Sequence, residues 1–167
     1  MNTKTQTKLD SFTLAYIEAA LWSSTEYAFG ECPCCGESAI LSHYPEPEFE
    51  QVPMCSAEGC GVKEIANPDH MDRNYGTKDL APETLEKIIS DCAKLQSENE
   101  TPNYGGGEWT NEERAGHDFW LTRNGHGVGF WDRDELDEAT QTRLTDASEA
   151  FGECTLYVGD DGKLYLS

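Results

Sequence analysis

A chain of 167 residues with 37% hydrophobic content and a formal charge of −20 is long enough for one domain plus a small module. Its aromatic share of 10% and its periodic apolar segments argue against general disorder. No apolar run approaches the ~20 residues that a membrane helix needs. The negative charge extends along the whole sequence, so phosphate contacts to nucleic acid are disfavoured.

Residues 1–8 read as a polar tail. A first helix then follows, capped by Asp10 or Ser11 and running through Trp22. Apolar residues lie on several of its sides, Leu9, Phe12, Tyr16, Ala19 and Ala20 on one and Leu14, Ile17 and Leu21 on others, so it should be well buried.

Two cysteine knuckles come next, Cys32-Pro-Cys-Cys35-Gly and Cys55-Ser-Ala-Glu-Gly-Cys60-Gly, with nineteen residues between Cys35 and Cys55. Each brings two thiols to one point and ends in glycine, the arrangement of a zinc ribbon, with Zn–S distances of about 2.3 Å. Cys32, Cys35, Cys55 and Cys60 are therefore expected to hold one Zn²⁺. Four thiolates leave no open coordination position, so that zinc is structural, and its binding supplies folding energy that so small a module lacks. Reduced cysteines that bind nothing are one alternative, and disulfides are the other. The sequence shows no signal peptide, which points to a reducing compartment and against them. Cys34 is expected to point away from the metal and His43 to lie on the surface. The module spans residues 27–67 and divides a main domain formed by 1–26 and 68–167. Its loop Tyr44-Pro45-Glu46-Pro47-Glu48-Phe49-Glu50 is proline-stiffened and acidic.

A second helix starts at Pro82, with Glu83 and Glu86 near its positive end and Leu85, Ile88, Ile89, Cys92 and Leu95 on one face. Residues 97–109, with Gly105-Gly106-Gly107, read as a linker or flexible loop. Asp118 to Arg123 and Val128 to Asp132 flank Asn124-Gly125-His126-Gly127, which predicts a first hairpin. A helix from Leu136 to Phe151 stops at Gly152. Thr155 to Gly159 and Lys163 to Leu166 flank Asp160-Asp161-Gly162, a second hairpin. The predicted fold is α+β, a small antiparallel sheet in the order β-β-α-β-β with helices on one face.

His117 and Asp118, with His126 and Asp132 across the predicted hairpin and Arg123 and Arg133 nearby, are candidates for a small hydrolase site. No nucleophile elbow, phosphate loop or His-Glu-x-x-His accompanies them, so the chain reads as a non-enzyme, and the two arginines as neutralising nearby acids on one surface. The acidic run Asp132, Asp134, Glu135, Asp137 and Glu138 is the preferred surface for a basic partner, followed by Glu46, Glu48 and Glu50. The alternative is a solvated face that suits a helix dipole.

The stretch from Gly116 to Arg133 (Gly-His-Asp-Phe-Trp-Leu-Thr-Arg-Asn-Gly-His-Gly-Val-Gly-Phe-Trp-Asp-Arg) and the stretch Leu156 to Tyr165 resemble a family of small bacteriophage and prophage proteins. Ala19-Ala20-Leu21-Trp22-Ser23-Ser24-Thr25 and Asp79 to Lys87 resemble the same family. In that family the Trp-Ser-Ser-Thr run passes almost directly to the second helix, so the cysteine module is a departure, an insertion in a loop. The resemblance carries no catalytic residues. It implies origin only, a phage-encoded protein in the cytoplasm of a host bacterium; taken with the charge of −20, the leading expectation is a non-enzymatic accessory protein that binds a host protein. In its sharpest form this is a DNA mimic that inhibits a defence or DNA-processing complex. A nucleic-acid-associated regulator acting through the zinc ribbon is the alternative, and the lone Lys63 of that segment argues against it.

Overall fold

The computed structural model describes residues 8–24 and 70–167. Four helices, α1 (Ser11–Ser23), α2 (Pro82–Glu98), α3 (Asn111–Arg123) and α4 (Glu138–Glu149), are followed by a two-stranded antiparallel sheet, β1 (Leu156–Val158) and β2 (Leu164–Leu166). The cysteine module, with Cys32, Cys35, Cys55 and Cys60, and the loop acids Glu46, Glu48 and Glu50 lie outside the described residues.

Helix α1 starts where Asp10 accepts a hydrogen bond from Thr13 N at 2.7 Å, the N-cap expected of a short acidic side chain. Its extensive partner is α3. The two approach so closely at Gly116 that a Cβ there would lie 2.0 Å from the Phe12 carbonyl oxygen. Above this crossing, Tyr16 sits edge-on to Trp120 at 5.2 Å and tilted against Phe119 at 5.0 Å, and Phe119 meets Phe151 at 5.1 Å. Trp120 Nε1 donates to Ser23 Oγ at 2.7 Å, so the largest buried ring also has its polar atom satisfied. Helix α2 begins at Pro82 as expected and adds Ile88, Cys92 and Leu95 to the same core.

The first predicted hairpin is a correction. Residues 118–123 are the last half of α3, and Phe130–Asp132 is a single helical turn where a strand was expected. Thr110 caps α3 by accepting from Glu113 N at 3.2 Å, and Glu113 returns a carboxylate to Thr110 N at 2.7 Å, a complete capping box. Asn124-Gly125 ends the helix: Gly125 has φ +62°, and the Asn124 side chain donates to Trp120 O. The pair that resembled a hairpin turn is a helix stop. Every residue from Asp118 to Arg123 is buried, so the segment lacks the one-sided periodicity that marks a surface helix.

The second hairpin forms as expected, with Leu156 opposite Leu166, Tyr157 opposite Tyr165 and Val158 opposite Leu164. The segment before α2 lies along β2: Leu80 bridges Leu164, and Ala81 N donates to Leu164 O at 2.9 Å. Among the described residues the sheet is thus one hairpin, and the fold is mixed α and β with helices forming most of the core. Met71 N donates to Ser24 O at 3.0 Å, so the chain leaves and re-enters the domain at adjoining points.

Residues 97–109 are tied to the core at Asn99, Pro102 and Tyr104. Tyr104 is buried and donates its backbone N–H to Asn111 Oδ1 at 3.1 Å, while Gly105, Gly106 and Gly107 take positive φ values.

Candidate functional site

Asp118 is the only carboxylate among the fully buried side chains of the described residues, with 0% exposure. It is held on α3 facing the segment between α3 and α4. Arg133 approaches it in bidentate fashion, Nε to Oδ2 at 2.7 Å and Nη2 to Oδ1. Tyr104 donates its hydroxyl to Oδ2 at 2.9 Å, and the His117 ring nitrogen lies 3.5 Å from Oδ1. Burial pushes the Asp118 carboxyl up, but His117, the Arg133 hydrogen bonds and charge, and Tyr104 outweigh it and hold the group below its ordinary value. Burial, then the neighbouring Asp118 charge and the bond to it, push the Tyr104 hydroxyl far above its usual range. The arginine fork saturates the carboxylate, so Asp118 works as an anchor for the 124–137 segment rather than as a base.

Around this anchor lies an open cleft of about 340 Å³ lined by Gly107, Glu108, Trp109, Arg114, His117 and Arg133. Arg114 stacks on the Tyr104 ring at 4.2 Å and pairs with Glu135. His117 lies between two exposed indoles, 5.8 Å from Trp109 and 6.1 Å from Trp22. The two arginines of this cleft are therefore paired, Arg114 with Glu135 and Arg133 with Asp118.

The hydrolase cluster considered from sequence does not assemble. His117, Asp118 and Arg133 are together, but His126 is exposed in the glycine turn after α3. Arg123 turns the other way, into the core, and does not share a surface with Arg133. It donates to Tyr16 Oη at 3.0 Å, Asp91 Oδ2 at 2.8 Å, Gly152 O at 2.6 Å and Phe151 O at 3.2 Å. This pins α1, α2, α3 and the end of α4 to one guanidinium.

The acidic run is at the surface throughout: Asp132, Asp134, Glu135, Asp137 and Glu138 are all exposed. Two of the five have structural work. Asp137 is the N-cap of α4, accepting from Thr140 N at 3.0 Å and Thr140 Oγ1 at 2.8 Å, and these bonds lower its carboxyl. Glu135 is lowered by its hydrogen bond from Arg114. Asp132, Asp134 and Glu138 form the outward ridge, beside Trp131, which is 50% exposed. Among the described residues no group of three or more His, Cys, Asp or Glu is placed to hold a metal, and no helix is long and apolar enough to cross a membrane.

Sequence reasoning missed Tyr104, Trp109 and Arg114. The Thr110-x-x-Glu113 capping box was the available signal, because it fixes the helix start, with Trp109 just before the cap and Arg114 at the end of the first turn. Comparison with family models, curated proteins and solved structures finds no match.

Proposed function

We propose that this chain is a non-enzymatic acidic accessory protein that binds a basic host protein, with carboxylates in the place of nucleic-acid phosphates. The observation that carries the reading is the disposition of charge. Arg114, Arg123, Arg133 and Lys87 are each turned onto a carboxylate of the same chain, while Asp132, Asp134 and Glu138 face water. The field outside the protein is then that of unmatched carboxylates, which speeds encounter with a basic surface and weakens with salt. The resemblance to phage and prophage proteins supplies the setting, a bacterial cytoplasm whose defence and DNA-processing complexes carry basic channels. The cysteine module, with one structural Zn²⁺, is carried as an appendage. The hydrogen bond between its flanks, Met71 N to Ser24 O, supports that reading because a loop with adjoining ends can be lengthened without moving the core.

The test is affinity capture from bacterial lysate at low and high salt, with duplex DNA as competitor. Recovery of a nucleic-acid-binding complex that salt removes and DNA displaces is the expected result. A partner indifferent to both removes the mimicry and leaves a binding protein. No specific partner at low salt, or direct retardation of DNA by the protein, overturns the reading; the second outcome favours the zinc-ribbon regulator.

A further inference from the structure

On the far side of Trp109 from the arginine cleft lies a second depression, about 320 Å³, between α1 and the start of α3. Leu14, Ala15 and Trp109 give it an apolar surface, and Glu18, Glu108 and Glu113 give it three carboxylates; among the described residues no cationic side chain lines it. Trp109 therefore separates a cleft whose arginines are paired from a groove whose charges are unmatched. We infer that this groove is the seat for a lysine or arginine side chain carried on an amphipathic basic segment of the partner protein.

The inference rests on the proposed binding of a basic protein and says where the contact is made. Helix α1 is buried along most of its surface, yet Leu14 is 37% exposed and Trp22 54%, and Trp109 is 52% exposed beside them. Leu14, Glu18 and Trp22 follow one another at four-residue spacing, so apolar and acidic groups alternate along one stripe of the helix. Each indole meets the His117 ring, Trp22 tilted and Trp109 edge-on, and about half of each remains exposed among the described residues. Single exposed apolar residues need no explanation, but three on one side of a domain, edged by carboxylates, fit an interaction surface. Tryptophan is the residue most enriched among those that dominate binding energy, and its ring face attracts a cation. A carboxylate-lined wall beside an indole suits a long side chain with an apolar stem and a charged tip, which is the chemistry of lysine and arginine.

The tryptophans distinguish this groove from the acidic ridge. Trp109 lines the groove, Trp22 lies one turn beyond Glu18 on the same stripe of α1, Trp131 lies beside Asp132 and Asp134 on the ridge, and Trp120 is buried in the core. The experiment is a titration of the full zinc-loaded chain with a synthetic amphipathic Leu/Lys peptide, followed through the four indole N–H resonances. Trp109 and Trp22 should shift saturably while Trp131 stays in place and Trp120 reports an intact core. Glu18→Gln with Glu108→Gln should weaken binding about five- to tenfold, from two exposed charge pairs. Asp132→Asn with Asp134→Asn and Glu138→Gln should leave it unchanged. If Trp131 shifts instead and only the ridge substitutions matter, the groove assignment fails while the binding of a basic partner stands. If no indole shifts, both fail.

Discussion

Replacing Arg133 by methionine tests the anchor that places both the cleft and the acidic ridge. Methionine keeps much of the stem volume and removes the charge and both hydrogen bonds to Asp118. The carboxylate left behind has 0% exposure, so water cannot take over from the guanidinium. Breaking a buried ion pair from one side costs about 3–5 kcal/mol. Tyr104 still donates to Oδ2 at 2.9 Å and His117 remains within 3.5 Å, which places the expected loss near the lower end, about 3 kcal/mol. For a chain of this size that corresponds to a fall in Tm of roughly 6–12 °C. The sign of the pH dependence follows from Asp118. In the native protein its carboxyl is held below its ordinary value, so its contribution is present above the unfolded pKa of about 3.9 and is lost as pH falls through the lowered folded value. Without Arg133 the lowering by its hydrogen bonds and charge is lost and the carboxyl moves up, so the penalty is full at pH 7 and relieved as the group protonates. The difference between the two proteins should therefore shrink from pH 7 to pH 4, read by urea unfolding with near-ultraviolet circular dichroism. A cost below about 1 kcal/mol at pH 7, or one that does not shrink with pH, would refute the anchoring role.

Gly116→Ala should destabilise by about 2 kcal/mol or more even though alanine favours helices, because its Cβ would meet the backbone of Phe12 at 2.0 Å; thermal melting checks it, and an unchanged Tm would deny the close α1–α3 crossing. Asp137→Ala should cost about 1 kcal/mol through loss of the α4 cap, whereas Asp134→Asn should be nearly neutral in the same urea titration. Native mass spectrometry should find one zinc per chain, absent after Cys32→Ser with Cys35→Ser; a full complement of metal in that variant would remove Cys32 and Cys35 as ligands. Cys92 is buried and burial pushes its thiol far up, so iodoacetamide should leave it unmodified in the folded protein and alkylate it in urea.

Local chemistry determined much of this protein. Asp10 before an apolar run gave the start of α1, Pro82 the start of α2, Gly152 the stop after α4, and Asp160-Asp161-Gly162 the hairpin between β1 and β2. Each is a signal carried by neighbouring residues, because caps and turns satisfy backbone groups within a few positions. The exposure of the acidic run was equally legible, since an unpaired carboxylate rarely leaves water. Tertiary structure decided the rest. The segment 118–123 lost its helical period because α1 on one side and the 124–137 segment on another bury it all round, so its sequence alternates nothing. The same burial gave opposite fates to two arginines that look alike in sequence: Arg123 faces the core beside Asp91 and Tyr16, and Arg133 returns from the next segment to meet Asp118. Tyr104, placed in an apparent linker, became the third member of that cluster, and Trp109 stayed exposed. No local rule fixes such pairings, because they join residues that only the packing of α1 against α3 and the path of the chain between α3 and α4 bring together.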